Sequence, residues 1–447
     1  MRSRKKSWYP TKISKTDLLV FFIFFSVFVL SILFVRPMQD DYVALRDVSN
    51  DGLLNSIHNM WKSWGGNIST IAISNFFINL YASGFIFYGI ALHSIIVTLL
   101  LLSTFRIFKI YLEEITGTEI GFRSSSYFIL SFFCFGSLHA PGYFSILNFT
   151  LAATAHLLPT LIFVHAIYFA RSKRIFSLFS LFILGFIIGN LNISESIFCL
   201  VTSLIIRILI KSSLINALQI KKRNLLLLIF GQIIGLLTIV LAPGFRVRSE
   251  IVLEPHTFQD LVFNFFLALL YNVGDILLHP GWFLALLVGC VFEKNLMPRF
   301  LLLKYLKITS FVLVLCVLTV SAGGAFAYPS WYHTMSFYVF VFPVFFTLGL
   351  ILRERLGVAR REKFLIVRNF VFVVCLLLLV RDMAMMGVRA EHWDRDYESN
   401  KVGIANNQFN LVGYNVNYWP LGLGVDDVEK WAWIKSAYIE WVQKGFL

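Results

Sequence analysis

A chain of 447 residues in which 58% are hydrophobic and only 14% charged, with a mean hydropathy of +0.75, excludes a soluble domain of ordinary make-up. The formal net charge of +14 would suit a polyanionic partner, but the basic residues stand in blocks between apolar runs, so they report membrane topology and exclude nucleic acid as the partner. The five cysteines (Cys134, Cys199, Cys290, Cys316 and Cys375) all fall in apolar runs without CxxC spacing, which argues against a disulfide framework or a zinc site.

In chain order, residues 17–35 come first, a run long enough to cross a bilayer core of roughly 30 Å. Arg2, Arg4, Lys5, Lys6, Lys12 and Lys15 precede it and hold the N-terminus in the cytoplasm. The following FVRPMQDD lacks the small-residue pattern of a signal-peptide cleavage site, so the run is read as a retained span. The chain then emerges on the far side at Arg36-Pro37-Met38-Gln39-Asp40-Asp41-Tyr42. Two adjacent carboxylates at a membrane exit repel each other and are costly to dehydrate. Asp40 and Asp41 therefore suit a general base, or a base beside a metal ligand, acting on a hydroxyl group. The plainer alternative is a helix cap or an exposed loop pair.

Within the first external loop, 36–83, the residues Leu53, Leu54, Ile57, Met60, Trp61 and Trp64 recur at spacings of three and four. They predict an amphipathic helix over 51–64, lying on the membrane surface. Residues 66–83 are apolar enough to dip into the bilayer, but the parity of the basic loops keeps them on the outer face. Further spans are expected near 84–105, 124–139, 150–170, 175–191, 196–211, 224–242, 262–290, 308–327, 333–352 and 364–382, eleven with the first. The stretch 262–290 exceeds one span and carries Asp275, His279 and Pro280, which suggests an interfacial helix followed by a single span. The aromatic, amide-rich tail 383–447 ends in a helical pattern, DDVEKWAWIKSAYIEWVQ. The expected fold is an all-α polytopic membrane protein of about 11 transmembrane helices. Its membrane domain covers 1–382 and an external segment covers 383–447.

The charge division supports this layout. Of the 39 Lys and Arg, 27 fall in the N-terminus, 106–123, 171–174, 207–223, 294–307 and 353–368, whereas 18 of the 25 acidic residues lie on the opposite side. This places the protein in the cytoplasmic membrane with its N-terminus inside and its C-terminus outside.

Other residues stand out for chemistry. Glu195 sits between Asn192 and an apolar span in the tight outer turn GNLNISE, where an acid is expensive without partners. Amides and carboxylates offer the mixed donors and acceptors that sugar hydroxyls need, and a structural ion pair or a solvated turn is the alternative. Arg246 and Arg248, after Ala242-Pro243-Gly244-Phe245, run against the positive-inside trend. Their planar forks match phosphate oxygens at headgroup depth, with snorkelling as the competing explanation. Tyr42, Trp64 and His333, the last in the external turn YPSWYH, can stack on or contact a sugar or acceptor, although an interfacial aromatic belt accounts for such residues as well. His58, His139, His156 and His165 lack metal-ligand spacing and read as buried or interfacial histidines. There is no Walker loop, GxSxG, HExxH or dinucleotide fingerprint.

These pieces in this order resemble the GT-C class of integral-membrane glycosyltransferases, whose members carry an acidic motif just after the first span, as Gln39-Asp40-Asp41-Tyr42 does here. More closely, the chain resembles a bacterial branch with a DDY after span one, a Trp-x-Gly-Arg late in the first loop and a later Pro-Gly-Asn-x-x-Arg. Asp40-Asp41-Tyr42 is intact. Trp61-Lys62-Ser63-Trp64-Gly65-Gly66-Asn67 lacks the arginine of the second motif, which leaves Lys62 to stand in for it. Pro243-Gly244-Phe245-Arg246-Val247-Arg248 has Phe in place of Asn. The tail, HWDRDYESNKVGIANN and VGYNVNYWP, is also similar to that branch, so the resemblance covers most of the chain. It implies transfer of a sugar from a polyprenyl-phosphate donor to a cell-envelope glycan, with inversion. Asp40 by preference would be the base, and Arg248 with Arg246 and Lys62 would hold the lipid phosphate. Asp41 would position the acceptor or bind a divalent cation, since some GT-C enzymes use a metal and others do not.

Two rivals share the lipid substrates. A transporter or flippase should place charged or broken-helix sites near the midplane, within repeated halves. Here the acids cluster at the outer face and no repeat is visible. A glycan polymerase would lean on later external loops with arginines.

Overall fold

The computed structural model describes residues 22, 26, 40–82, 88–116, 130–131, 134–135, 150–171, 176–209, 219–252, 257–278, 281–291, 298–325, 335–356, 361–409, 411 and 432–443. Every regular element among them is helical. That is the arrangement apolar runs are driven to, because a helix satisfies its own backbone groups without water.

The helices in chain order are α1 (Asp40–Ser63), α2 (Ile68–Ala82), α3 (Tyr88–Thr116), α4 (Thr150–Phe169), α5 (Phe176–Leu191), α6 (Ile193–Leu209), α7 (Lys222–Val240) and α8 (Pro243–Val252). They continue with α9 (Phe258–Leu278), α10 (Gly281–Val291), α11 (Arg299–Gly324), α12 (Met335–Leu356), α13 (Arg361–Ala405) and α14 (Ala432–Gln443). Six stretches are long and apolar enough to cross a membrane: Gly89–Thr116, Thr150–Phe169, Lys222–Val240, Phe258–Leu278, Arg299–Gly324 and Ser336–Arg353. The expected spans at 17–35 and 124–139 lie outside the described residues apart from isolated positions. Helices α5 and α6 coincide with expected spans but have only 16 and 17 residues.

Two expectations change. The stretch 262–290 holds a long apolar helix, α9, followed by a short one, α10, so the span-length element comes first. The boundary drawn at residue 382 falls inside α13, which runs unbroken for 45 residues from the last apolar run into the polar tail.

Glycine sets the closest helix contacts. A Cβ on Gly189 would lie 2.2 Å from the Gln232 carbonyl oxygen, and one on Gly231 would lie 2.3 Å from that of Phe182. Together with Gly185 and Gly235 these form facing small-residue stripes that let α5 and α7 pack backbone to backbone. Gly289 and Gly349 play the same part between α10 and α12. Elsewhere the core is aromatic: Phe105 meets Phe135 and Phe342, while Phe340 meets Phe108 and Phe198.

The helix ends sort into two groups. At one end Arg171 pairs with Glu114 at 2.8 Å, Asn224 donates to the Ala170 carbonyl, and the Tyr305 hydroxyl donates to the Phe108 carbonyl. These contacts draw together the ends of α3 and α4 with the first turns of α7 and α11. At the other end lie α1 and α2, tied to the end of α5 by hydrogen bonds from the Ser69 amide to Asn190 and from the Thr70 hydroxyl to the Leu191 carbonyl.

Candidate functional site

The acidic pair opens α1. Asp40 is its first residue, and Asp41 is fully enclosed at 0% exposure. A helix start is where burying a carboxylate is least unfavourable, because the amide ends of the helix point at it. Tyr42 is buried as well. Its hydroxyl accepts a hydrogen bond from the Trp393 indole at 2.8 Å, and its ring meets Tyr438 edge-on at 5.1 Å. Trp393 stacks on Tyr397 at 5.2 Å, and Asn400 donates to the Tyr438 hydroxyl. Burial pushes the Tyr438 phenol up. Burial likewise raises the Asp47 carboxyl, against the opposing hydrogen bond from Arg46. Asn50 donates to Glu440 at 2.6 Å. The first half of α1 is therefore seated on the far half of α13 and on α14.

Gly52, with φ of +75°, breaks α1 into two arms. A left-handed backbone there suits glycine alone among common residues. The second arm is the expected amphipathic helix, with Leu53, Ile57, Met60 and Trp61 half-buried and Leu54 exposed. It ends in a turn that locks into another. A Cβ on Gly244 would lie 2.5 Å from the Trp61 carbonyl oxygen and 2.7 Å from the amides of Trp64 and Gly65. A Cβ on Gly66 would lie 2.3 Å from the Ile239 carbonyl oxygen. Glycines on both sides thus let the Trp61–Asn67 turn and the start of α8 meet without side chains between them. Lys62 and Arg246, both exposed, stand on these two joined segments.

Beneath the joint, Asn190 is completely buried and connects four partners. Its carbonyl accepts from the Ser69 amide at 2.7 Å, and its amide faces the Gly66 and Gly235 carbonyls and the Thr238 hydroxyl. Next to it, Glu195 in the first turn of α6 is 0% exposed and meets the His156 Nδ1 at 2.8 Å. Asn192 lies 3.5 Å from the same nitrogen and caps the Ser194 amide. His156 sits in a π-helical turn of α4, Ala153–Leu157, which also presents the Thr154 hydroxyl to His93 of α3 at 2.9 Å. Such turns re-aim side chains and recur at functional sites.

The structure therefore brings together Lys62, Trp64 and Arg246 at the interlocked turns, and Asn192 with Glu195 in the layer beneath. Glu195, expected to meet sugar hydroxyls, is enclosed and engages His156, and so ties α4 to the start of α6. Tyr42, expected to contact a sugar or acceptor, faces Trp393 and Tyr438 of the tail. The side chains of Asp40 and Arg248, and all of His333, lie outside the described residues. Asn190, His156 and Trp393 carry more of the architecture than their residue types suggest. Among the described residues no three His, Cys, Asp or Glu side chains gather as a metal site would require. No protein-family model, curated protein or solved structure matches this chain.

Proposed function

We propose that the chain is a membrane glycosyltransferase of GT-C type, moving a sugar from a polyprenyl-phosphate donor to a cell-envelope glycan on the non-cytoplasmic face. The observation that carries this reading is the interlock of the Trp61–Asn67 turn with the start of α8. Two segments roughly 180 residues apart in sequence are held backbone to backbone, and each carries a cation, Lys62 and Arg246. Cations carried on two joined segments suit a lipid phosphate leaving group, since its charge grows in the transition state.

In the reaction, Asp40 takes the proton of the acceptor hydroxyl as its oxygen attacks the anomeric carbon. The bond from that carbon to the phosphate oxygen breaks on the opposite face, and the lipid phosphate departs toward Lys62, Arg246 and Arg248. Asp41 is enclosed, so its role is to position the head of α1 and not to touch substrate. Loss of a general base is typically worth about 10² to 10⁴ in rate. Asp40→Asn is expected to abolish transfer while leaving insertion intact, because Asn keeps the size but accepts no proton. Mass spectrometry of surface glycans from cells carrying the wild type, Asp40→Asn or no protein tests this. One sugar residue should be missing in the last two, and an unchanged glycan profile in all three would sink the proposal.

A further inference from the structure

At the opposite, basic end of the bundle, α5, α6 and α7 enclose a groove that the proposed transfer does not use. Its floor is apolar, with Phe179, Phe182 and Phe230 among its lining residues, and its mouth is lined by Arg207, Lys222 and Arg223. Phe179 and Phe230 are 67% and 55% exposed, and Phe182 packs against Phe230 at 5.8 Å between ring centres. Exposed aromatic rings on membrane-facing helices are ordinary. The three cations at the end of the groove must each be matched by an anion or by water.

Three observations converge on a phosphate. Among the described residues, none of Arg207, Lys222 and Arg223 has an acidic partner, and the Arg207 Nε is buried without an acceptor. The charges come from two different helices, the end of α6 and the start of α7, so the fold gathers them and no single amphipathic face does. Finally, the start of α7 has no side-chain cap: Lys221 precedes it in an extended conformation, and Lys222 and Arg223 of the groove stand in the first turn of this 19-residue helix. Uncapped amides and cations together favour an anion.

We propose that this groove binds an anionic phospholipid, with the headgroup phosphate held by Arg207, Lys222, Arg223 and the first amides of α7, and one acyl chain laid along Phe179, Phe182 and Phe230. A free phosphate would use the cations and ignore the rings. A zwitterionic lipid would use the rings but bring a positive charge to the cations. An anionic diacyl lipid satisfies both halves of the site.

The test uses the full chain purified in detergent, with bound phosphatidylglycerol counted by native mass spectrometry against phosphatidylcholine. Wild type is expected to retain phosphatidylglycerol preferentially. Arg207→Gln with Arg223→Gln is expected to lower that retention about fivefold per charge, about 25-fold for the pair. Phe179→Ala with Phe230→Ala leaves every charge and topology signal in place and is expected to lower retention as well. Equal retention by wild type and either double variant overturns the proposal, as does equal binding of phosphatidylcholine. Displacement of the lipid by millimolar inorganic phosphate reassigns the site to the free ion and equally overturns it. None of these residues belongs to the transfer site, so glycan analysis and lipid counting fail independently.

Discussion

Adding a single methyl group at Gly244 probes the joint on which the proposed chemistry depends. Its Cβ would sit 2.5 Å from the Trp61 carbonyl oxygen and 2.7 Å from the Trp64 and Gly65 amide nitrogens. All three are backbone atoms, so no rotamer change relieves the clash. Ordinary contact begins near 3.4 Å, and the shortfall of about 0.9 Å must be met by parting the two turns. Overpacking of this kind costs about 1–3 kcal/mol. A displacement near 1 Å between groups that must act on one substrate costs on the order of 10² in rate. Gly244→Ala should therefore lower the thermal unfolding midpoint in detergent and depress sugar transfer far more than that loss of stability explains. The matched control is Gly274→Ala on α9, where an added Cβ meets nothing within 4 Å. There the better helix propensity of alanine should stabilise by about 0.5–1 kcal/mol and leave transfer unchanged. Wild-type stability and transfer in Gly244→Ala would show that the two turns do not touch.

Asn190→Ala removes a side chain that serves four partners and leaves the Gly66 carbonyl and the Ser69 amide short of one bond each; at about 0.5–1.5 kcal/mol per net hydrogen bond, a loss of roughly 2–4 kcal/mol is expected in detergent unfolding, and a change under 0.5 kcal/mol would refute the hub. His156→Ala strands the buried Glu195 and should destabilise by about 3–5 kcal/mol, while the double variant His156→Ala/Glu195→Gln should recover part of that; strictly additive losses would deny the pairing. Cysteines placed at the exposed positions Asn50 and Ser399 should both react with an impermeant maleimide in intact cells, because α1 is seated on α13 and α14; labelling of only one would overturn the shared side.

Hydrophobic periodicity carried most of the helix positions. Expected spans at 84–105, 150–170, 224–242, 308–327 and 333–352 each overlap a long apolar helix. It failed where local composition and helix continuity part company. In α13 the residues after 382 turn polar, yet nothing in them stops a helix, and the chain continues to Ala405. The site was legible in part. The glycines of Trp64-Gly65-Gly66 and Pro243-Gly244 marked two turns, but only three dimensions reveal that each makes room for the other. Glu195 was conspicuous as an acid in an apolar turn, whereas His156, 39 residues away and without metal-ligand spacing, had no signal pointing to it. The small-residue pairs Gly185-Gly189 and Gly231-Gly235 were a readable sign of close helix packing that passed unused.

The seam between Tyr42 and Trp393 joins residues 351 positions apart, and synthesis at about 5–20 residues per second separates them by roughly 20–70 s. Throughout that interval the head of α1 has left the ribosome but has no wall to lean on. Tyr42 is thus among the first of these residues to be made and among the last to meet its partner. A ribosome stalled before α13 leaves a chain in which the Tyr42 hydroxyl has no indole to donate to it. Closure of this seam is in this sense a completion signal, written into the contact between α1 and α13.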